Sequence, residues 1–395
     1  MPQPIIYIAR DIERALGQEP KDGYFIITNS SPYALEIQKK YPNNIYLINS
    51  DKILDTYELL LLSEVQKIIT DHDSQILVFK NTIHIEQLCK EKKWKLLNPS
   101  AVLSEKIENK TTQVAWLEDL SSLLPPHKIS LVKNIIWNEK FLIIQWSHSH
   151  TGDGTILIQN EKDLDLLKEK FPHRQARVSD FIKGPMFTVN AIVTDQKILI
   201  GNISYQITGM LPFTENIFST VGNDWSLPYS ILNDSHIKKI EEIAQKIGEK
   251  MRRDGWEGLF GIDVIYDEER DSIRLIEINP RQPASTTYES ELQISLDLKG
   301  STIFKAHILS LTNSPIENPI IPINDGSQII QRVTKNSSKI DSQKIIDAGY
   351  KVIKYNNLKS NSDFLRIQSS KGIMESHNKF NKRGKEILGL VTMIK

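Results

Sequence analysis

Gly258-Leu-Phe-Gly261-Ile-Asp263-Val-Ile-Tyr266, followed after an acidic turn by Arg274-Leu-Ile-Glu277-Ile-Asn279-Pro-Arg281, carries the most information in this chain. Both runs are rich in β-branched and aromatic residues and read as strands. Side chains in a strand alternate between faces. Glu277 and Asn279, two apart, therefore share a face with Leu275, and Asp263 shares one with Gly261 and Ile265. A hairpin closed around Asp267–Asp271 sets Asp263 opposite Glu277. Two carboxylates and an amide oxygen then converge on one spot.

Two like charges facing each other at a half-buried site repel, because screening by water is weakened there. A hard divalent cation resolves the conflict. Magnesium prefers oxygen ligands and commonly joins one or two carboxylates to phosphate groups. The alternative is a solvated hairpin face. Acids inside a run such as Leu-Ile-Glu-Ile-Asn are less often incidental than acids in loops.

Upstream, Ile5–Ala9, Tyr24–Thr28, Asn44–Ile48 and Gln75–Phe79 read as strands, with helices at Ser31–Lys40 and Thr56–Thr70 between them. This βαβ rhythm predicts a parallel sheet over residues 1–103. No G-x-G-x-x-G follows the first strand, so dinucleotide binding is not supported. A second unit, 104–310, opens with a helix from Glu108-Asn109-Lys110 to about Leu123. Pro125-Pro126 stops that helix. Strands are expected at Lys128–Lys133, Phe141–Trp146 and Thr155–Gln159. A polar loop with Gly152 and Gly154 lies between the last two. Strands at Arg177–Ile182, Phe187–Thr194 and Lys197–Ile203 follow. Asn233–Arg253 is an amphipathic helix with Ile237, Ile240, Ile247 and Met251 on one face, capped by Asp234 or Ser235 and ended by Gly255. The tail, 311–395, reads as a small α+β unit with strands at Gln328–Val333, Lys351–Tyr355 and Phe364–Ile367. The fold class is thus α/β and α+β, multidomain.

Composition narrows the partners. The 395 residues hold 49 basic and 49 acidic side chains, for zero formal charge. That balance gives no electrostatic case for nucleic acid. The one cysteine, Cys89, excludes an intramolecular disulfide and a cysteine-rich metal site. A reducing cytoplasm is the compartment expected. No uncharged apolar stretch approaches the ~20 residues of a membrane span.

Glu277-Ile-Asn279-Pro-Arg281, with Gly261-Ile-Asp263 before it, resembles the metal-binding hairpin of the ATP-grasp superfamily. Phe181-Ile182-Lys183-Gly184-Pro185-Met186-Phe187-Thr188-Val189 is similar to the adenine hinge and following strand of D-alanine–D-alanine ligase, a member of that superfamily. Leu97-Asn98-Pro99-Ser100, the Lys110 helix with its Pro125-Pro126 exit, and the glycine loop complete a resemblance running over roughly residues 1–310. It implies a nucleotide-binding central domain that uses ATP and Mg2+, the metal held by Asp263, Glu277 and Asn279. Lys110 is implied to contact phosphate, and the Ile182 backbone to bond the adenine edge. The loop around Gly152 and Gly154 would cover the triphosphate through its amides. Arg281 would hold a substrate carboxylate or the transferring phosphoryl group, which its planar fork suits; its other reading is a pair with Glu289 or Glu291.

The sequence also departs from the family. Gln145 stands where a second lysine is usual, Ser179 where an adenine-contacting glutamate is common, and Met186 where a ribose-binding glutamate is common. The activity implied is an ADP-forming carboxylate–amine ligase working through an acyl phosphate. Its substrates would be a small carboxylate and an amine, an amino acid or peptide, and a homodimer is the assembly expected by analogy. The alternatives are a bicarbonate-activating carboxylase and an ATP-binding module without turnover. Arg332 and Arg366, in apolar strands of the tail, either reach the active site or pair with acids such as Asp363. Asn202–Gln206 and Thr220–Trp225 either shape a substrate pocket or pack as core.

Overall fold

The computed structural model describes residues 3–147, 154–335 and 337–392. Four parallel strands open the chain: β1 (Ile5–Ala9), β2 (Tyr24–Asn29), β3 (Ile45–Ile48) and β4 (Gln75–Val78), in the order β3-β2-β1-β4. The strands read as unbroken apolar runs because both faces are covered. Tyr7 and Ala9 pack on one side with Phe304, and Ile6 and Ile8 on the other with Leu59, Val65 and Ile85. Phe304 belongs to the Ile303–Leu311 helix, so a later part of the chain roofs the first sheet.

The helix expected over Thr56–Thr70 is two helices, Thr56–Leu61 and Ser63–Asp71, parted where Leu62 is extended at ψ 132°. The break lets Leu59 and Leu60 on one side and Val65 and Ile69 on the other enter a single core. The Gln66 side chain donates to the freed Leu60 carbonyl at 3.1 Å. The helix expected from Glu108 to Leu123 is also subdivided. A preceding helix, Ala101–Glu108, ends at extended Asn109, and Lys110–Leu117 starts there. Asn109 caps the new helix by accepting from the Thr111 amide at 3.0 Å, and a 3-10 turn over Glu118–Leu123 completes the run.

A four-stranded antiparallel sheet follows: β5 (His127–Leu131), β6 (Leu142–Trp146), β7 (Thr155–Ile158) and β8 (Gln175–Asp180), ordered β5-β8-β6-β7. The main sheet has eight strands: β9 (Met186–Val193), β10 (Ile198–Thr208), β11 (Thr220–Asp224), β12 (Gly258–Asp267), β13 (Ser272–Asn279), β14 (Ser327–Arg332), β15 (Lys351–Lys354) and β16 (Asp363–Ser369). Its order is β13-β12-β9-β10-β11-β14-β16-β15. The tail segment, expected to make a unit of its own, therefore places three strands in the central sheet, joined through β11 and β14. The Asp234–Arg253 helix buries Ile240, Ile243, Ala244, Ile247 and Met251 against this sheet. Its cap is Asn233 rather than Asp234 or Ser235, the side chain accepting from the His236 amide at 2.9 Å. No described helix is long and apolar enough to cross a membrane.

His307 fixes the start of β12. Its Nδ1 accepts from the Leu259 amide at 3.0 Å, so that nitrogen must be unprotonated. Gly258, at φ +82°, makes room: a Cβ there would sit 2.6 Å from the same Nδ1. Burial pushes the imidazole down to about 3. A folded value below the unfolded one means that stability is full above ~6.5 and is lost as pH falls towards 3. The loss is up to about 1.4 kcal/mol per pH step. Glu289 and Asp11 are raised to about 7 by burial and act in the opposite sense. Urea midpoints from pH 4 to 7, compared between the native chain and His307→Asn, isolate the histidine: the variant is expected to lose most of this acid sensitivity.

Candidate active site

β12 and β13 form the expected hairpin, with Gly261 opposite Asn279 and Asp263 opposite Glu277. The next pair is Val264 with Leu275, so Ile276 is an extra residue and β13 is bulged. The bulge overturns one expectation. Leu275 does not share a face with Glu277 but joins Ile278 in the core, because the extra residue reverses the alternation.

Asp263 is buried, and its Oδ1 accepts from Thr188 Oγ1 at 2.7 Å and Gln206 Nε2 at 2.6 Å. Asn279 turns its amide nitrogen to Asp263 Oδ2 at 3.0 Å, while its Oδ1 accepts from Arg281 Nη2 at 3.0 Å. Asn279 thus meets Asp263, with Glu277 opposite Asp263 in the ladder, but the amide oxygen faces Arg281 rather than the carboxylates. Glu277 Oε1 is 2.5 Å from Lys110 Nζ, the lysine side chain being 4% exposed and the glutamate 30%. Lys110 reaches the hairpin as the first residue of its helix, whose amide donates to Ser147 O at 3.1 Å.

The electrostatics follow from burial. Desolvation and then the neighbouring Glu277 push the Asp263 carboxyl up to about 6, against the pull of its Thr188 and Asn279 bonds. Burial pushes Glu277 up as well, but Lys110, Arg281 and Arg177 together outweigh it and hold it below the usual carboxylate range. Burial draws Lys110 down and Glu277 partly restores it. Asp263 is therefore the group left with too little positive charge. A hard cation between Asp263 and Glu277 would relieve that strain, so the residues present fit a magnesium ion. Among the described residues no group of three His, Cys, Asp or Glu side chains gathers for a metal, and the cluster here is two carboxylates and an amide.

Arg281 pairs with Glu108, its Nε 3.7 Å from Oε1, and stacks over Phe79. Glu289 is fully buried under bonds from Asn190 and Asn202, and Glu291 meets Lys351 at 2.8 Å. Gln145 is buried in β6, and its Oε1 accepts from Arg177. Ser179 sits in β8 between His127 and Ile143. Ile182 is buried in the link from β8 to β9, where Gly184 passes so close to β12 that a Cβ would sit 1.9 Å from the Tyr266 carbonyl. The Gly154 carbonyl accepts from the Trp146 amide at 3.1 Å. Gly152 lies outside the described residues.

Arg332 donates to the Thr220 carbonyl, and Arg366 to the Ala284 carbonyl. Both pair with Asp363. Of the segments read as pocket or core, Gln206 touches Asp263 whereas Trp225 packs on Tyr288. Sequence reasoning missed Thr188 as a bond to Asp263, although it lies two residues beyond Met186 in the quoted hinge. It placed Arg177 at the start of a strand but missed it as a residue of this site.

The ATP-grasp domain family matches residues 107–285. No curated protein matches the chain in sequence. In structure the chain is similar to N5-carboxyaminoimidazole synthetase from Staphylococcus aureus, at 13% identity, 99% of this chain, 98% of that chain and a TM-score of 0.68. It is also similar to N5-carboxyaminoimidazole synthase from Aspergillus clavatus in complex with ADP and 5-aminoimidazole ribonucleotide, at 14% identity, 98% of each chain and a TM-score of 0.68. A third likeness is to the biotin carboxylase domain dimer of Hydrogenobacter thermophilus 2-oxoglutarate carboxylase, solved with MgADP, ADP and bicarbonate. That match has 13% identity, 93% of this chain, 86% of that chain and a TM-score of 0.64. At these identities the likeness is one of fold.

Proposed function

From its membership of the ATP-grasp superfamily we propose that the chain is an ADP-forming ligase that activates a small carboxylate with ATP and joins it to a nitrogen nucleophile. The observation that carries this reading is Asp263 opposite Glu277, two carboxylates in register with Lys110 and Arg281 beside them.

A carboxylate is a poor electrophile because its leaving group would be oxide. In the proposed reaction one carboxylate oxygen attacks the γ-phosphorus of ATP. The bond from that phosphorus to the β,γ-bridging oxygen breaks, and ADP leaves. The amine nitrogen then attacks the acyl carbon and loses a proton, and phosphate leaves with one former carboxylate oxygen. Arg281 holds and orients the substrate carboxylate. Lys110 lies against phosphate and the Ile182 backbone against adenine, with Gln145 and Ser179 lining the same nucleotide site. Asp263, Glu277 and Asn279 are the residues that would hold magnesium. Bound there, the ion supplies neutralisation of phosphate charge during transfer.

An amino acid or peptide is our first substrate class. A second reading, bicarbonate as the carboxylate, is favoured by the fold likeness, over 93% of this chain and 86% of that chain, to the biotin carboxylase domain solved with bicarbonate. Either reading is compatible with a homodimer acting on soluble small molecules. ADP release from Mg-ATP should require added carboxylate: a pool of amino acids and short peptides in the first case, bicarbonate with an amine in the second. ATP binding without release in any such mixture would contradict the ligase and favour a binding module.

A further inference from the structure

Arg177 lies in β8, its side chain almost fully buried at 3% exposure. Its Nε and Nη2 donate to Gln145 Oε1 at 3.1 and 2.7 Å, and Nη1 donates to Gln113 Oε1 at 2.9 Å. Nη2 also donates to the backbone carbonyl of Ile276 at 2.9 Å. Every one of these partners is neutral. A guanidinium keeps its charge, so burial among neutral groups is unfavourable unless an anion is near. The near anion is Glu277: burial draws Arg177 down to about 10, and Glu277 opposes that.

The partners are informative by position. Ile276 is the extra residue of the β13 bulge, immediately before Glu277. Gln113 lies on the helix that begins with Lys110. Gln145 lies in β6, directly opposite Arg177 in the ladder. One planar fork therefore ties the lysine helix and the small sheet to the bulge behind the metal-facing glutamate.

We propose that Arg177 is a positioning residue of the cation site: it holds the Ile276 carbonyl and so fixes the bulge that sets Glu277 opposite Asp263. The inference rests on the reading of that hairpin as a magnesium site. It also accounts for Gln145. A lysine there would bring an ammonium against the buried guanidinium, whereas glutamine offers an oxygen that accepts two of its bonds. The positive charge of this corner thus sits on β8 instead of β6.

Mn2+ binding to the full chain with ADP, followed by electron paramagnetic resonance, tests this without turnover. Arg177→Met is expected to weaken Mn2+ binding about 10- to 100-fold, the range for residues that orient metal ligands. Arg177→Lys keeps the charge but cannot span Gln145 and Ile276 together, and is expected to recover only part of the affinity. If Arg177→Met does not fold by circular dichroism, Arg177→Lys carries the test. Native Mn2+ affinity in the folded variants, with only a lowered melting temperature, would mean a merely structural role and overturn the inference. An Arg177→Lys chain equal to wild type would overturn positioning in favour of charge alone. No Mn2+ binding by the wild-type chain would instead remove the cation site, and the inference with it.

Discussion

Glu277→Gln is expected to reduce ADP formation at least ~1000-fold, the scale of losing one preorganised electrostatic group in a transition state of this kind. The change is isosteric and keeps the β13 backbone bonds, so the effect reads chemistry rather than packing. Two consequences combine. At the proposed site a cation would lose one of its two carboxylates, and Lys110, 4% exposed, would lose the anion 2.5 Å away. With Glu277 neutral, the repulsion that helps raise Asp263 to about 6 is also removed. Steady-state ADP release at saturating Mg-ATP checks the rate, and thermal unfolding of the same sample checks that the fold survives. Glu277 is 30% exposed and water can solvate part of the change, so only a modest stability loss is expected. Wild-type-like turnover would remove Glu277 from the active site.

Asp363→Ala is expected to have the largest effect on stability. Asp363 meets Arg332 through Oδ1 and lies 3.6 Å from Arg366 Nη2, the two arginine side chains being 8% and 2% exposed. Burial pushes the Asp363 carboxyl up, and Arg332 and Arg366 more than offset that, so it lies below its usual range. Removing it leaves two buried guanidinium groups without their common anion, a loss of about 3–5 kcal/mol. A lowered carboxylate gives stability that is present above the unfolded value, ~3.9, and lost as pH falls through the folded one. Urea unfolding of the variant at neutral pH measures the loss. A double-mutant cycle with Arg332→Met measures how much of it is this pair. An Asp363→Ala chain within about 0.5 kcal/mol of wild type, the scale of a surface change, would contradict the assignment.

The sheet-forming runs were legible because their period is local. Ile5–Ala9 is apolar throughout because both faces are covered, and Leu259–Tyr266 followed by Ile273–Asn279 is a hairpin with its turn chemistry in view. The approach of Asp263 and Glu277 was legible from that turn only to within one residue. Counted from Asp267 opposite Ser272, unbroken pairing puts Ile276 opposite Asp263, and the bulge that brings Glu277 there instead was not legible, because Leu-Ile-Glu-Ile is equally good strand sequence with or without an extra residue. Helix propensity likewise runs through Leu62 without a break. The break is made by tertiary packing, which brings two helix faces to one core. The tail's place in the main sheet depends on β11 pairing with β14 across about a hundred residues, and no local pattern encodes such a partner. The nucleotide-side residues were assigned by resemblance alone, and Arg177 escaped because nothing near it in sequence distinguishes a bridging arginine from an edge one.

The central claim, transfer of a phosphoryl group to a carboxylate, is tested most directly by following oxygen. The chain would be given Mg-ATP with pooled amino acids and short peptides labelled with 18O at the carboxyl group, and separately with labelled bicarbonate and an amine. An acyl-phosphate ligase delivers one labelled oxygen from the carboxylate into each phosphate released alongside ADP. Phosphate carrying only the oxygens of ATP and water, or release of AMP in place of ADP, would contradict the account.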